Sequence, residues 1–569
     1  MWARHRLEWI TALGAAILGG IYLLLPRMGS DLAAQVARAD FFAGHGLTPV
    51  DLSWYAGVEQ FGYSLVSQPV MALLGVRVTG VLSLVAGSVL LAVLFRRTAA
   101  AGTSAAPTAA APTAAARAEK ARTGAARPWL GAVFGTVAFA GNLISGRVTY
   151  GLGVCFGIAA LVLLTVPRWR NLAAAAAFLA SATSPVAGLF TGLAGAALLL
   201  TGNRPTPAEN SPAPVGSSPA PAGNSPAPAE GAPGLRRWDG LLLAVPAAVP
   251  LALTALLFGD GGWMNISRTD TVRAVVTGLV VAVFVPIRAV RAGALMSSAG
   301  VLAAALIHTP VGLNATRLAV MFGLPILAAY GASFPRTNKK RDRIAGIALL
   351  AVLIWWQPPV VIDDVRDIGN PASDPAYFQP LRDRLAAEKL TGRVEIPPTR
   401  AYWEAASMGD VPLARGWLRQ ADIDRNPLFF TTVPGASGTG VELTADSYRA
   451  WLDEQAVQFV AVPDVTLAWP GRSEAQLVTS GLPYLTLIWS HSHWHLYAVT
   501  NPRPIAPNLV HQDAASVIFD ASSAGRVDVR VRYHRWLTVS DGATVSAAGD
   551  WTRVNVPAPG RYTLTSSLR

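Results

Sequence analysis

Residues 336–357 read RTNKKRDRIAGIALLAVLIWWQ. Five basic side chains (Arg336, Lys339, Lys340, Arg341 and Arg343) stand in front of an uncharged apolar run that ends on Trp355-Trp356. A basic cluster next to an apolar run orients a helix in a bilayer, because loops rich in Lys and Arg stay in the cytoplasm. The reading predicts a membrane-spanning helix over 344–357 that leaves the cytoplasm. Everything after Trp356 then lies outside.

Working back toward the N-terminus, the same kind of run recurs. A spanning helix needs about 20 apolar residues. Such runs fall near 8–26, 70–95, 128–145, 149–166, 171–184, 186–201, 239–258, 271–287, 294–309 and 316–334. With 344–357 they predict about eleven transmembrane helices. Charge supports the count. Arg96 and Arg97, Arg168 and Arg170, Arg204 with Arg236 and Arg237, and Arg288 with Arg291 follow the second, fourth, sixth and eighth runs. The cluster at 336–343 follows the tenth. With Arg4, His5 and Arg6 ahead of the first helix, one parity satisfies every basic loop: N-terminus cytoplasmic, C-terminal region extracytoplasmic.

Composition agrees. Of 569 residues, 52% are hydrophobic and 14% charged, against roughly 25% charged in soluble domains. The net charge of +12 is almost all arginine and is spent in loops between apolar runs, which argues against nucleic acid as a partner. The partner implied is the lipid bilayer of a plasma membrane crossed many times. The single cysteine, Cys155, excludes an internal disulfide and a thiolate metal site. No Walker sequence or nucleotide fingerprint is present.

The predicted domains are a transmembrane unit, 1–357, an α/β domain, 358–510, and a small β-sandwich-like domain, 511–569. The α/β reading rests on helix-like stretches (375–390, 444–455) alternating with apolar strands such as 457–462. The sandwich reading rests on short alternating strands with Gly, Pro and Asp turns. Two cytoplasmic loops, 98–126 and 203–235, are rich in Ala, Pro and Ser or Thr. The second repeats Asn-Ser-Pro-Ala-Pro. Such segments bury too little apolar surface to order themselves.

The first outer loop, 27–68, is the main candidate for chemistry. Asp31 lies just past the first helix. A carboxylate at the water–lipid boundary is partly desolvated, which moves carboxylates toward general-base behaviour. Asp40 and Asp51 are the other catalytic candidates. Arg147 and Arg317 stand at outer helix ends, where an arginine is costly and a planar fork suits a phosphate; Asn314 lies close to Arg317 in sequence. His491, His493 and His495 would share one face if they lay on a single strand, yet no metal ligand set stands out there.

The loop Gly29-Ser30-Asp31 after the first helix, with Trp54-Tyr55-Ala56-Gly57 and Tyr63, resembles the GT-C-type glycosyltransferases. Further echoes are Ser145 to Gly153, Ser184 to Gly188 and Val311 to Leu318. The whole chain, including Ala401 to Ala405 and Arg415-Gly416-Trp417, is similar to uncharacterised membrane proteins of high-GC Gram-positive bacteria often labelled as transporters. The resemblance implies a GT-C-like polytopic helical fold. It also implies extracytoplasmic sugar transfer from a polyprenyl-phosphate sugar to an envelope glycan acceptor. In that frame Asp31 is the base by position, with Asp40 or Asp51 as second carboxylate. Arg147 and Arg317, with Asn314 beside them, bind the donor phosphate. A divalent cation could assist such chemistry by neutralising the phosphate leaving group. The sequence departs from the family in having no adjacent acidic pair in the first loop. The alternatives are a secondary transporter and a non-catalytic envelope scaffold with a glycan-binding outer domain. A transporter would show repeated halves and broken helices meeting at mid-membrane, and the sequence shows no internal repeat.

Overall fold

The computed structural model describes residues 5–104, 126–202, 237–259, 261–331 and 339–568. Each of the predicted apolar runs falls in a helix: Arg6–Leu24, Val76–Ser104, Pro128–Ile144, Val148–Leu164, Leu172–Thr183, Pro185–Thr201, Leu241–Leu257, Arg268–Phe284, Arg288–Leu306, Arg317–Tyr330 and Lys339–Trp356. Five segments among the described residues are long and apolar enough to cross a bilayer: Arg6–Leu24, Val76–Ala100, Arg237–Leu257, Arg288–Leu306 and Gly312–Tyr330. The others are shorter or carry charge at one end. Leu172–Thr183, 12 residues, spans about 18 Å at 1.5 Å per residue. It stops because Pro185 opens a new helix, with the Ser184 hydroxyl accepting from the Ala187 amide as its cap. Eleven full-length spans are therefore not what the helix lengths give.

The run predicted over 70–95 breaks at Gly75, whose φ is +82°. A short helix, Ser67–Leu74, precedes it and the long one follows. That long helix carries on to Ser104, over the first residues of the predicted loop 98–126. The rest of that loop from 105 to 125, and the loop 203–235, lie outside the described residues. Small residues let neighbouring helices approach closely. A Cβ on Gly87 would sit 2.2 Å from the Phe139 ring, and one on Gly135 would sit 2.5 Å from Leu91.

After the helix Lys339–Trp356 the chain builds a mixed four-stranded sheet in the order Arg393–Glu395, Val457–Pro463, Trp494–Val499, Leu485–His491. The first pair is parallel and the others antiparallel. A second unit follows, with one sheet of four strands and one of three. Its strands start at Leu509. Val517, Phe519, Val529, Val531, Val554 and Leu564 from both sheets share a buried core, which is a sandwich arrangement.

The first loop does not stand apart from these units. Val50 and Leu52 enter the sandwich core. Trp54, Tyr55 and Val58 join Phe378, Leu381, Trp403 and Trp494 in the core of the mixed-sheet unit. The loop backbone is hydrogen-bonded to both: the Leu52 amide to Ala514 O at 2.7 Å, the Leu413 amide to Ser53 O at 2.9 Å, and the Arg532 amide to Ala56 O at 2.9 Å. Trp54 lies against Gly416, where a Cβ would meet the indole at 2.6 Å. Gly416→Ala is therefore expected to overpack this contact and cost about 1–3 kcal/mol, read as a lowered midpoint in thermal unfolding of the detergent-solubilised chain.

The three histidines do not share one strand. His491 ends Leu485–His491 and His495 lies in Trp494–Val499, with the hairpin turn between them. Alternation along a strand cannot carry across a turn. His493, at that turn, pairs with Asp464 at 3.0 Å.

Candidate functional site

Asp31 occupies the residue before the helix Leu32–His45, where a short acidic side chain usually caps the helix. Its carboxylate makes no capping bond. It turns to two arginines instead. Oδ2 accepts from Arg147 Nε at 3.3 Å and from Arg317 Nη2 at 3.2 Å. Asp31 is 8% exposed, so both pairs are largely shielded from water. Two guanidinium groups against one carboxylate leave a positive charge in excess.

Two glycines make this convergence possible. Gly29 has φ +105° and Gly146 φ +74°, a region that side chains disfavour. A Cβ on Gly29 would lie 2.3 Å from Ile144 O, and one on Gly146 2.4 Å from the Leu32 amide nitrogen. The turns Gly29-Ser30-Asp31 and Ser145-Gly146-Arg147 thus pack back to back, joined by the Asp31 amide donating to Ser145 O at 3.0 Å. Arg317 comes from a third place, the first residue of Arg317–Tyr330. A cation gains nothing from the positive end of a helix dipole. Asp31 supplies what the helix does not.

A polar layer surrounds the cluster. Gln35, one turn into the helix after Asp31, donates to the Tyr63 hydroxyl at 2.9 Å and accepts from Thr149 Oγ1 at 2.6 Å. Burial, with the Asp31 charge next in effect, pushes the Tyr63 hydroxyl above its ordinary value, so it stays protonated. The Arg38 guanidinium lies 4.3 Å from the Tyr63 ring centroid. From the C-terminal region, Trp417 sets its ring edge-on to Tyr63 at 6.1 Å and donates its indole N–H to Ser30 O at 2.9 Å. Asp364, 5% exposed, accepts from the Ser30 amide at 3.0 Å and from Ser145 Oγ at 2.5 Å. It ties the two back-to-back turns together.

Of the sequence candidates, Asp31, Arg147 and Arg317 are brought together. Asp40, Asp51 and Asn314 are not: no hydrogen bond or ion pair links any of them to Asp31 among the described residues. Asp40 lies nine residues along, about two and a half helical turns, and is exposed on the opposite face. Asp51 is buried in the strand Val50–Asp51 and accepts from the Ser53 amide at 2.8 Å, a turn-forming bond. Burial raises its proton affinity. Asn314 directs Nδ2 to the Met264 sulfur at 3.4 Å. Its carbonyl accepts the Arg317 amide, so it shapes the start of the arginine's helix. Among the described residues no group of three His, Cys, Asp or Glu side chains stands close enough to hold a metal ion.

No protein-family model matches the sequence, and no curated protein does. Among solved structures the chain is similar to the arabinofuranosyltransferase AftD from mycobacteria, with TM-score 0.44 and 14% identity over 99% of this chain and 57% of that one. It is also similar to an arginine-to-serine mutant of AftD in one class, with TM-score 0.42 and 14% identity over 99% of this chain and 60% of that one. The chain thus spans less than two thirds of the length of those proteins. A likeness of that depth assigns no residue a role, and the chemistry rests on the geometry above.

Sequence reasoning missed Tyr63 as a site residue, and with it Gln35, Asp364 and Trp417. Ser30 meets Asp364 across 334 residues of chain and Trp417 across 387, so no local spacing could pair them. One signal was present. Asp363-Asp364 is an adjacent acidic pair, placed just after the last apolar run rather than in the first loop.

Proposed function

We propose that this chain transfers a sugar from a polyprenyl-phosphate donor to a cell-envelope acceptor at the outer face of the plasma membrane. The observation that carries the reading is the single carboxylate of Asp31 held between Arg147 and Arg317 at 3.3 and 3.2 Å. The basic loops support an orientation with these residues and the C-terminal units on the outer side. The donor phosphate takes N–H groups of both arginines, whose planar forks suit it. Asp31 Oδ1, whose neighbour is Ser30 Oγ at 3.4 Å, accepts the proton of the acceptor hydroxyl as that oxygen attacks the anomeric carbon. The new glycosidic bond forms as the bond from that carbon to the phosphate oxygen breaks. Polyprenyl phosphate leaves with the electron pair, and its charge is held by the two guanidinium groups. The residues do not suit a divalent cation. Among the described residues Asp31 is the one carboxylate paired with both arginines, and those cations would repel a metal.

The test is a membrane assay with a panel of radiolabelled polyprenyl-phosphate sugars, alongside water-soluble nucleotide sugars. Label is expected to pass to polymer from a lipid-linked donor and not from a nucleotide sugar. Arg317→Lys keeps the charge but loses the fork. It is expected to raise the apparent KM for the donor about tenfold, the effect of one charge-assisted hydrogen bond. Consumption of nucleotide sugars alone would sink the reading.

A further inference from the structure

Tyr150 lies in the first turn of the helix Val148–Leu164, three residues after Arg147 and so on the same flank. The Arg317 guanidinium carbon sits 5.2 Å from its ring centroid. Its hydroxyl lies within the fields of both Arg317 and Arg147. The residue is 3% exposed, yet the hydroxyl oxygen has no hydrogen-bond partner among the described residues. A buried hydroxyl without a partner is costly, and folded proteins almost always satisfy such groups. Its surroundings offer no obvious release: the ring meets Phe190 edge-on at 6.3 Å. The charged groups acting on it, Arg317 and Arg147, are cations that cannot accept its proton.

What would satisfy this hydroxyl is an anionic acceptor arriving between the two arginines. Each guanidinium gives one N–H to Asp31, out of five that an arginine carries, so donors remain for a second anion. We infer that the Tyr150 hydroxyl is a third donor to that anion, a phosphate oxygen of the ligand, beside Arg147 and Arg317. This rests on the phosphate-donor reading above and adds a ligand-contacting residue to it. Arginines bring charge, but a tyrosine hydroxyl adds direction: a single O–H held by a buried ring donates to one oxygen position. A phosphate monoester or diester meets that geometry. A neutral alcohol of the same chain length has no oxygen with the charge to be worth desolvating there.

The experiment uses the full chain in detergent and three probes: farnesyl phosphate, farnesol and inorganic phosphate. Binding is measured by calorimetry, and the thermal midpoint of the unliganded protein is read beside it. Wild type is expected to prefer farnesyl phosphate to farnesol. Tyr150→Phe is expected to weaken farnesyl phosphate about tenfold, the size of a hydrogen bond to a charged group, and to leave farnesol unchanged. Because the hydroxyl has no partner among the described residues, the same substitution should leave the thermal midpoint equal or higher. That combination is one a purely structural tyrosine would not give. A lowered midpoint with unchanged binding would overturn the inference. So would unchanged affinity for farnesyl phosphate in Tyr150→Phe, while Arg317→Met still loses it; the phosphate-site reading would then stand without Tyr150. If wild type shows no preference for the phosphate-bearing probe, both fall together. Inorganic phosphate bound as tightly as farnesyl phosphate, with the same dependence on Tyr150, would support the oxyanion site and overturn a lipid-linked ligand.

Discussion

Asp31→Asn is expected to stop sugar transfer while the protein remains in the membrane at its wild-type level. Asparagine matches aspartate in shape, and its amide oxygen still accepts one guanidinium N–H. It cannot take up the acceptor proton. A positioned general base contributes about 10²–10⁴ in rate, so a fall of at least hundredfold is expected. The measurement is the rate of label transfer from the lipid-linked donor, normalised to immunoblot signal from the same membranes. Asp31→Glu separates chemistry from folding. It keeps the charge for Arg147 and Arg317 but moves the oxygens by one methylene, and a displacement of about 1 Å can itself cost about hundredfold. The glutamate variant should therefore match wild type in thermal midpoint and still transfer slowly. A wild-type rate in Asp31→Asn would remove Asp31 from the chemistry.

How much of this could be read beforehand depends on how local each signal is. The apolar runs and the basic loops are local in sequence, and every run lies in helix among the described residues, one of them in two pieces. Helix lengths were harder, because a single residue decides them: Gly75 splits one run, and Pro185 ends another at Thr183. The three arginine and aspartate candidates that meet were legible because each is expensive in an apolar setting and so needs a partner. Their actual meeting depends on Gly29 and Gly146, whose positive φ no composition reveals. Asp40 failed for a reason that helix geometry could have supplied, since nine residues carry it to the opposite face. The first loop looked like an outer loop with aromatics. Trp54, Tyr55 and Val58 are in fact buried in a core whose other half lies more than three hundred residues away, and such contacts leave no periodic trace.

Arg415→Met is expected to destabilise the C-terminal region by about 3–5 kcal/mol, the cost of removing one partner from a buried ion pair. Arg415 is 2% exposed. It gives Nε and Nη2 to the two oxygens of Asp422 at 3.0 and 2.9 Å and Nη1 to Glu474 at 2.9 Å, and it lies over the Phe429 ring at 3.9 Å. Glu395 is 3.6 Å away. Three buried acids share one cation, so not all of them can ionise. Burial, and then the Glu474 charge, hold Glu395 well above the ordinary carboxylate range. A raised value in the folded state means that the native protein binds this proton more tightly than the unfolded chain. Stability from that proton is complete below the unfolded glutamate value of about 4.3 and is lost as pH rises above it. The thermal midpoint of wild type should therefore fall as pH is raised from about 5 toward 9, and Arg415→Met should fall further and more steeply, since each ionised carboxylate then lacks a counter-charge. At about 2–4 °C per kcal/mol for a domain of this size, the gap near neutrality is on the order of 10 °C. A gap under about 2 °C would mean that the cluster is already neutral without Arg415. The consequence reaches the site as well. Gly416 and Trp417 follow Arg415 directly, the first packed on Trp54 and the second bonded to Ser30 O. Loosening Arg415 loosens the indole that holds the Asp31 turn, so the variant should also transfer sugar more slowly, with its largest loss at high pH where the acids repel one another.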